Sequence, residues 1–193
     1  MTATAIATPT DTEIPGYVAG RWIIDTVHSD ISFTARHMMV SKVRGHFRDF
    51  DGELVTGQDP HDSQITANIR VASVDTNNEM RDNHVRSGDF FDADKYPIAT
   101  YRSTGPLVED GKFAVIDGEL TLRGVTKQVP LQIEANGFGP DVQGGTRAGF
   151  TARGKINRND FGVSFGAVTN GVVVLGETIE LTLEIEAILQ QAA

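Results

Sequence analysis

Arg81 and His84 stand three residues apart in the stretch Arg81-Asp82-Asn83-His84-Val85-Arg86-Ser87-Gly88-Asp89-Phe90-Phe91. In a helix that spacing places a guanidinium and an imidazole on one side. Arginine suits a diphosphate or similar anion through charge-assisted bonds, and a neutral histidine suits a quinone carbonyl or an amide. The local signals predict a helix over about 77–88. Thr76 with Glu79 three residues on reads as a capping box, Gly88 as a stop, and Pro97 holds off the next strand. At about 100° per residue, Met80 and Val85 flank an inward face that also holds Arg81, His84 and Gly88. Asp82 and Arg86, four apart with the acid first, are predicted as an exposed ion pair on the opposite side.

The remaining reactive residues lead to quieter readings. His28, His37 and His46 are each nine apart, and with His61 and His84 they show no helical His-x-x-x-His spacing. A zinc site needs three or four ligands converging on one ion, so no metal site is expected. Asp25-Thr26-Val27-His28-Ser29-Asp30 contains the residue types of a catalytic triad, but triad members come from separated parts of a fold. Asp25 and Ser29 are expected to close a turn between two strands. Gly137-Phe138-Gly139-Pro140 leads from strand to strand, whereas a phosphate loop opens a helix. Arg158-Asn159-Asp160-Phe161-Gly162 reads as a sharp turn, with Phe161 and Phe165 directed inward.

These groups need elements to hold them, and the pattern is overwhelmingly that of strands. Ile179, Leu181, Leu183, Ile185 and Ala187 alternate with Glu180, Thr182, Glu184 and Glu186, giving one apolar and one acidic face. Similar alternation marks 22–24, 31–34, 43–55, 65–71, 98–105, 113–123, 129–135 and 148–156. The Gly-rich piece 137–149 reads as a hairpin loop, and Gly45, Gly52, Gly118 and Gly154 as bends. A twelve-residue strand reaches roughly 40 Å. Long antiparallel strands must protect their edges, and closure into a barrel does this fully. The expected fold is therefore all-β, a closed antiparallel barrel with one short inserted helix. A dry core would leave an inward Arg and His unpaired, so the barrel is expected to be hollow.

Composition narrows the function classes. The chain has 193 residues and a net charge of −9, suited to one soluble domain that repels nucleic acid and anionic surfaces in general. It has no cysteine, which excludes disulfides, thiolate metal sites and cysteine nucleophiles. The longest apolar run is far too short to span a bilayer, so no stable membrane insertion is expected. Residues 1–16, rich in Thr, Ala and Pro, read as a flexible tail, and 17–190 as a single barrel domain. No Lys or Arg precedes Arg21 and no continuous apolar core precedes residue 17, so a cytoplasmic location is expected.

Five motif blocks then bring a family into view. Trp22-x-Ile24-Asp25-x-x-His28-Ser29-x-Ile31-x-Phe33 and Gly45-x-Phe47-x-x-Phe50-x-Gly52 come first. Arg81-Asp82-x-His84-x-x-Ser87-x-Asp89-Phe90-Phe91 with Tyr96-Pro97, Gly118-x-Leu120-Thr121-x-Arg123-Gly124-Val125-Thr126, and Arg158-x-Asp160-Phe161-Gly162 follow. In this order, from about residue 17 to 188, the chain resembles the YceI-like proteins. The resemblance implies an extended eight-stranded lipocalin-like barrel whose lumen takes a polyisoprenoid or another long-chain amphiphile. It transfers no catalytic residue. Many relatives are exported, and this chain departs from them at its N-terminus.

The primary expectation is thus a binding protein, not an enzyme, with no cofactor beyond a bound isoprenoid, quinone or fatty amphiphile. Arg81, His84, His37 and Arg158 would meet the polar head. Phe33, Phe47, Phe90, Phe91, Phe161 and Phe165 would line the lumen. Two rivals are an enzyme acting on an isoprenoid or quinone-like substrate, with His84 paired to Asp82 or His37, and a non-catalytic homodimeric interaction module.

Overall fold

Period-two alternation builds the strands, and their edges meet to close a tube. The computed structural model describes residues 14–142, 144–165 and 174–190. Within them lie β1 (Gly20–Ile24), β2 (Asp30–His37), β3 (Ser41–Phe47), β4 (Phe50–Thr56), β5 (Gln64–Arg70) and β6 (Val74–Asp75). The helix α1 (Glu79–Arg86) follows, then β7 (Ile98–Asp110), β8 (Phe113–Leu122), β9 (Val125–Gln128), β10 (Leu131–Pro140), β11 (Thr146–Asn157) and β12 (Leu175–Leu189). The antiparallel order β1-β4-β5-β7-β8-β10-β11-β12 closes through β1–β12, giving an eight-stranded barrel.

Three staves of this barrel are bent and run on past a break. β1 and β2 both lie along β12, with Ile24 opposite Ala187 and Asp30 opposite Glu184. The Asp25–Ser29 turn expected from sequence thus interrupts one stave, and Asp25 Oδ1 accepts from the Val27 N–H at 3.0 Å. The single strand predicted over 43–55 divides into β3 and β4, because β3 pairs with β2 while β4 pairs with β1. β5 continues through a 3-10 turn, Val71–Ser73, into β6, which pairs with β3. The Gly-rich piece 137–149 is mostly strand, since β10 and β11 pair out to Pro140 and Thr146. A bulge at 135–137, where Gly137 has φ 146°, absorbs the irregularity that looked like loop sequence.

The helix differs from its predicted wheel. Asn78, not Thr76, is the N-cap, its side chain accepting from the Arg81 N–H at 2.9 Å. Thr76 instead donates its backbone N–H and its hydroxyl to Asp82 Oδ1, at 2.9 and 2.5 Å. Asp82 is consequently buried, at 6% exposure, and is not the outward half of an ion pair. Two donors of the preceding loop need an acceptor once the helix folds back, and the buried carboxylate supplies it. Arg86 reaches the carbonyls of Ala72 at 2.7 Å and Val74 at 2.8 Å. Met80, predicted to flank the inward face, is 85% exposed.

Part of the barrel end away from α1 is packed with aromatic rings. Phe138 packs edge-on against Tyr17, Trp22 and Phe150, with ring centroids 5.5 to 5.7 Å apart. Trp22 is fully buried and donates its indole N–H to Thr56 Oγ1 at 2.9 Å. Of the segment expected to be tail, 1–13 lies outside the described residues, while 14–16 line the cavity described next.

Candidate functional site

The inner faces of the staves enclose a cavity of about 1720 Å³. Ordinary small-molecule pockets occupy roughly 300–1,000 Å³, so this one suits an extended ligand. The hollow interior shows in the burial of β12. Leu181, Leu183 and Ile185 point inward yet keep accessible surface, because the lumen and not another side chain faces them. Near those packed rings, inward Ala187 is completely buried. The walls between are apolar, supplied by residues such as Leu54, Ile65, Leu120, Leu131 and Ile133. An apolar void of this kind excludes water and favours hydrocarbon.

Polar groups gather at the end where α1 sits. Arg81 donates Nε to Thr76 Oγ1 at 2.7 Å and Nη2 to the Thr76 carbonyl at 2.8 Å. That engages two of its five N–H donors. Thr76 therefore links Arg81 to the buried Asp82, and the guanidinium is held at the cavity wall by the loop before its own helix. His84 lies 2.9 Å from Asp89 Oδ2 through Nε2. A carboxylate only accepts, so Nε2 carries the hydrogen, and in the neutral ring Nδ1 is an acceptor. The imidazole packs edge-on against Phe90 and Phe165, at 5.1 and 4.7 Å between centroids. Asp82, committed to Thr76, does not partner His84.

His37 ends β2 and lines the same region. Arg158 does too, with four of its five N–H donors already engaged. Nε reaches the Gly176 carbonyl at 3.0 Å, Nη1 reaches Val163 and Phe165 at 2.6 Å each, and Nη2 reaches Leu175 at 3.3 Å. Burial pushes its pKa down. Arg158 thus clamps the neighbouring backbone where it lines the cavity, and one Nη2 hydrogen is left for the head-group role expected of it.

Five of the six expected phenylalanines line the lumen: Phe33, Phe47, Phe90, Phe91 and Phe165. Phe47 bridges Phe33 and Phe91, at 5.6 and 5.8 Å. Phe161 is not among the lining residues. It is 1% exposed, packed in the core by the tight turn that Gly162 completes at φ 70°. Sequence reasoning missed Thr76, whose role was masked by its capping-box pattern, and Tyr101, Phe138 and Phe150 along the wall. It also missed polar residues at the far end, including Asp59, His61 and Lys112, since alternation does not say which strand ends form a mouth.

The Asp25, His28 and Glu186 groups approach one another closely enough to hold a cation. Arg147 already fills that place, with Nη1 on both Asp25 and Glu186 and Nε 3.2 Å from Asp141. Among the described residues no helix is long and apolar enough to cross a membrane.

The YceI-like domain model matches residues 22–187. The UPF0312 protein plu2095 of Photorhabdus laumondii is 44% identical over 135 residues, 69% of this chain and 70% of that protein. The crystal structure of a Campylobacter jejuni YCEI protein superposes with a TM-score of 0.71 at 32% identity, covering 81% of this chain and 90% of that one. A polyisoprenoid binding domain from Saccharophagus degradans superposes with a TM-score of 0.65 at 15% identity, covering 90% and 100% of the two chains, and attests the shared fold.

Proposed function

The chain belongs to the YceI-like domain family, and from that premise we propose that it binds a long-chain isoprenoid or similar amphiphile inside the barrel. The single observation that carries this reading is the long, mainly apolar cavity, bordered by Arg81 and His84 where α1 sits. Each CH₂ moved from water into such a lumen gains about 0.8 kcal/mol, and ordering of the chain takes back part of it. The head group lies at Arg81 and His84. The unspent Arg81 donors suit an anionic or carbonyl oxygen, and His84 Nδ1 accepts from a hydroxyl or amide. The description of the Saccharophagus degradans neighbour as a polyisoprenoid binding domain supports the same choice of chain.

Binding is preferred to catalysis on the geometry of the histidine. Its hydrogen-bond partner is Asp89, an exposed carboxylate beside the helix, and Asp82, one of the two partners considered for proton transfer, is held by Thr76, while His37 makes no hydrogen bond to His84 among the described residues. The test is extraction of the purified protein with organic solvent followed by mass spectrometry, and refilling with a fluorescent alkyl-chain probe. A chain amphiphile in the extract and probe uptake near one per barrel are expected. An extract without amphiphile, together with no uptake, refutes the reading.

A further inference from the structure

The β2–β3 hairpin carries a combination that the lumen does not explain. Its turn, closed by the Val40 N–H on the His37 carbonyl at 3.1 Å, places Met38 and Met39 at φ 48° and 59°. Both central residues of the turn are left-handed, a geometry that strongly favours Asn-Gly. Here two methionines occupy it and stand out from the barrel. Met38 is 45% exposed, Met39 57% and the following Val40 86%. Two large apolar side chains thus sit at strained positions in contact with water.

Charge is segregated around this tip. Although the chain carries a net −9, residues 31–48 contain Arg36, Lys42, Arg44 and Arg48 and no acid. Arg36 lies directly opposite Lys42, and Arg44 is opposite Thr34, so three cations share the outer face below the tip. Like charges directly across a strand pair repel. Lys42 is offset by Glu180 at 3.2 Å, whose charge Arg36 also feels at longer range, while neither Arg36 nor Arg44 forms a salt bridge among the described residues.

The hairpin also stands at the polar end of the cavity. Met38 N–H donates to the Val174 carbonyl at 2.9 Å, and His37 pairs with Leu175. Val174, Leu175 and His37 all line the lumen. An apolar tip over a cationic band, beside residues that line an oily cavity, matches the layered chemistry of an anionic bilayer surface.

The geometry points to the β2–β3 hairpin as a docking element for anionic phospholipid bilayers, with Met38, Met39 and Val40 entering the interface and Arg36 and Arg44 meeting the head groups. The rest of the acidic barrel is repelled by such a surface, which orients the molecule with its cavity end toward the lipid. The docking surface stands on these residues alone. Only the further step, direct passage of a chain between bilayer and lumen, rests on the lipid-binding reading.

The test is cosedimentation of the full chain with vesicles of phosphatidylcholine alone and of equimolar phosphatidylcholine and phosphatidylglycerol. Binding is expected to the mixed vesicles only, and to be lost in high salt. M38N/M39G restores the turn's preferred residues while removing the apolar tip, and R36Q/R44Q removes the free cations. Each is expected to lower the vesicle partition coefficient by about tenfold or more, with a melting temperature no lower than wild type and unchanged alkyl-probe uptake in solution. Wild type that stays in the supernatant, or double variants that bind like wild type, overturn the inference. So does light scattering that shows the hairpin joining two copies of the chain while vesicles are ignored. Failed probe uptake with intact vesicle binding would instead count against the lumen reading alone.

Discussion

Arg147 is the residue on which the outer surface near β1 is organised. It holds Asp25, Asp141 and Glu186 together at the break between β1 and β2. The Arg147 guanidinium, and then His28, keep the Asp25 carboxyl well below the usual carboxylate range. A depressed folded-state pKa contributes stability that is present above the unfolded value, about 3.9, and lost as pH falls toward the folded value. Arg147→Met should therefore melt at a lower temperature than wild type at neutral pH. The gap should narrow as pH falls below about 4, because the wild type then loses what the variant already lacks. Thermal melts at neutral pH and at about pH 3 check this. A gap of constant size would assign the role of Arg147 to packing alone.

At the level of elements, two interactions fix what surrounds the cavity. α1 is latched to its preceding loop by Asp82, which accepts from Thr76 N and Oγ1. Asp82→Ala leaves those buried donors unpaired and should cost about 2–3 kcal/mol. Denaturant unfolding measures the loss, and hydrogen exchange should show it concentrated over α1 and freeing Arg81. Across the barrel, Tyr101 lies over Gly118 and donates to the Val129 carbonyl at 3.1 Å. A methyl group on Gly118 would collide with the Tyr101 hydroxyl, so Gly118→Ala should cost about 1–3 kcal/mol by the same measurement. The staves were legible in sequence because each has one wet and one dry face, as in 179–187. The turn at 25–29 was legible too, from Asp25 and Ser29, but the break at 48–49 was not, since an alternating run does not say which neighbour it pairs with. The helix was legible in place but not in rotation. Its wheel assumed that a carboxylate seeks water, and Asp82 found Thr76. Arg81, His84 and Arg158 reached the cavity wall nonetheless, while Phe161 went to the core. A tight turn near Gly162 gives no periodicity from which to read direction.

For the whole molecule, an empty lumen and a packed core make opposite forecasts. Ala152 faces inward between Ile133 and Leu183, and all three line the cavity. In a close-packed core Ala152→Phe would overfill the site and cost about 1–3 kcal/mol. In a hollow barrel the ring occupies free volume, gains dispersion contacts and leaves the fold intact. The variant should therefore melt no lower than wild type and should lose alkyl-probe uptake by at least about tenfold, an expected loss of some 1.4 kcal/mol of binding. Ligand linkage sharpens the comparison. A chain bound at a hundredfold excess over its Kd adds about 2.7 kcal/mol to stability, or roughly 5–10 °C for a domain of this size. Stripping the lipid from wild type should lower its melting temperature by that order, whereas the blocked variant, its affinity reduced at least tenfold, should shift by no more than about half as much. Equal shifts in the two proteins would place the amphiphile outside the barrel and remove the lumen from the account of function.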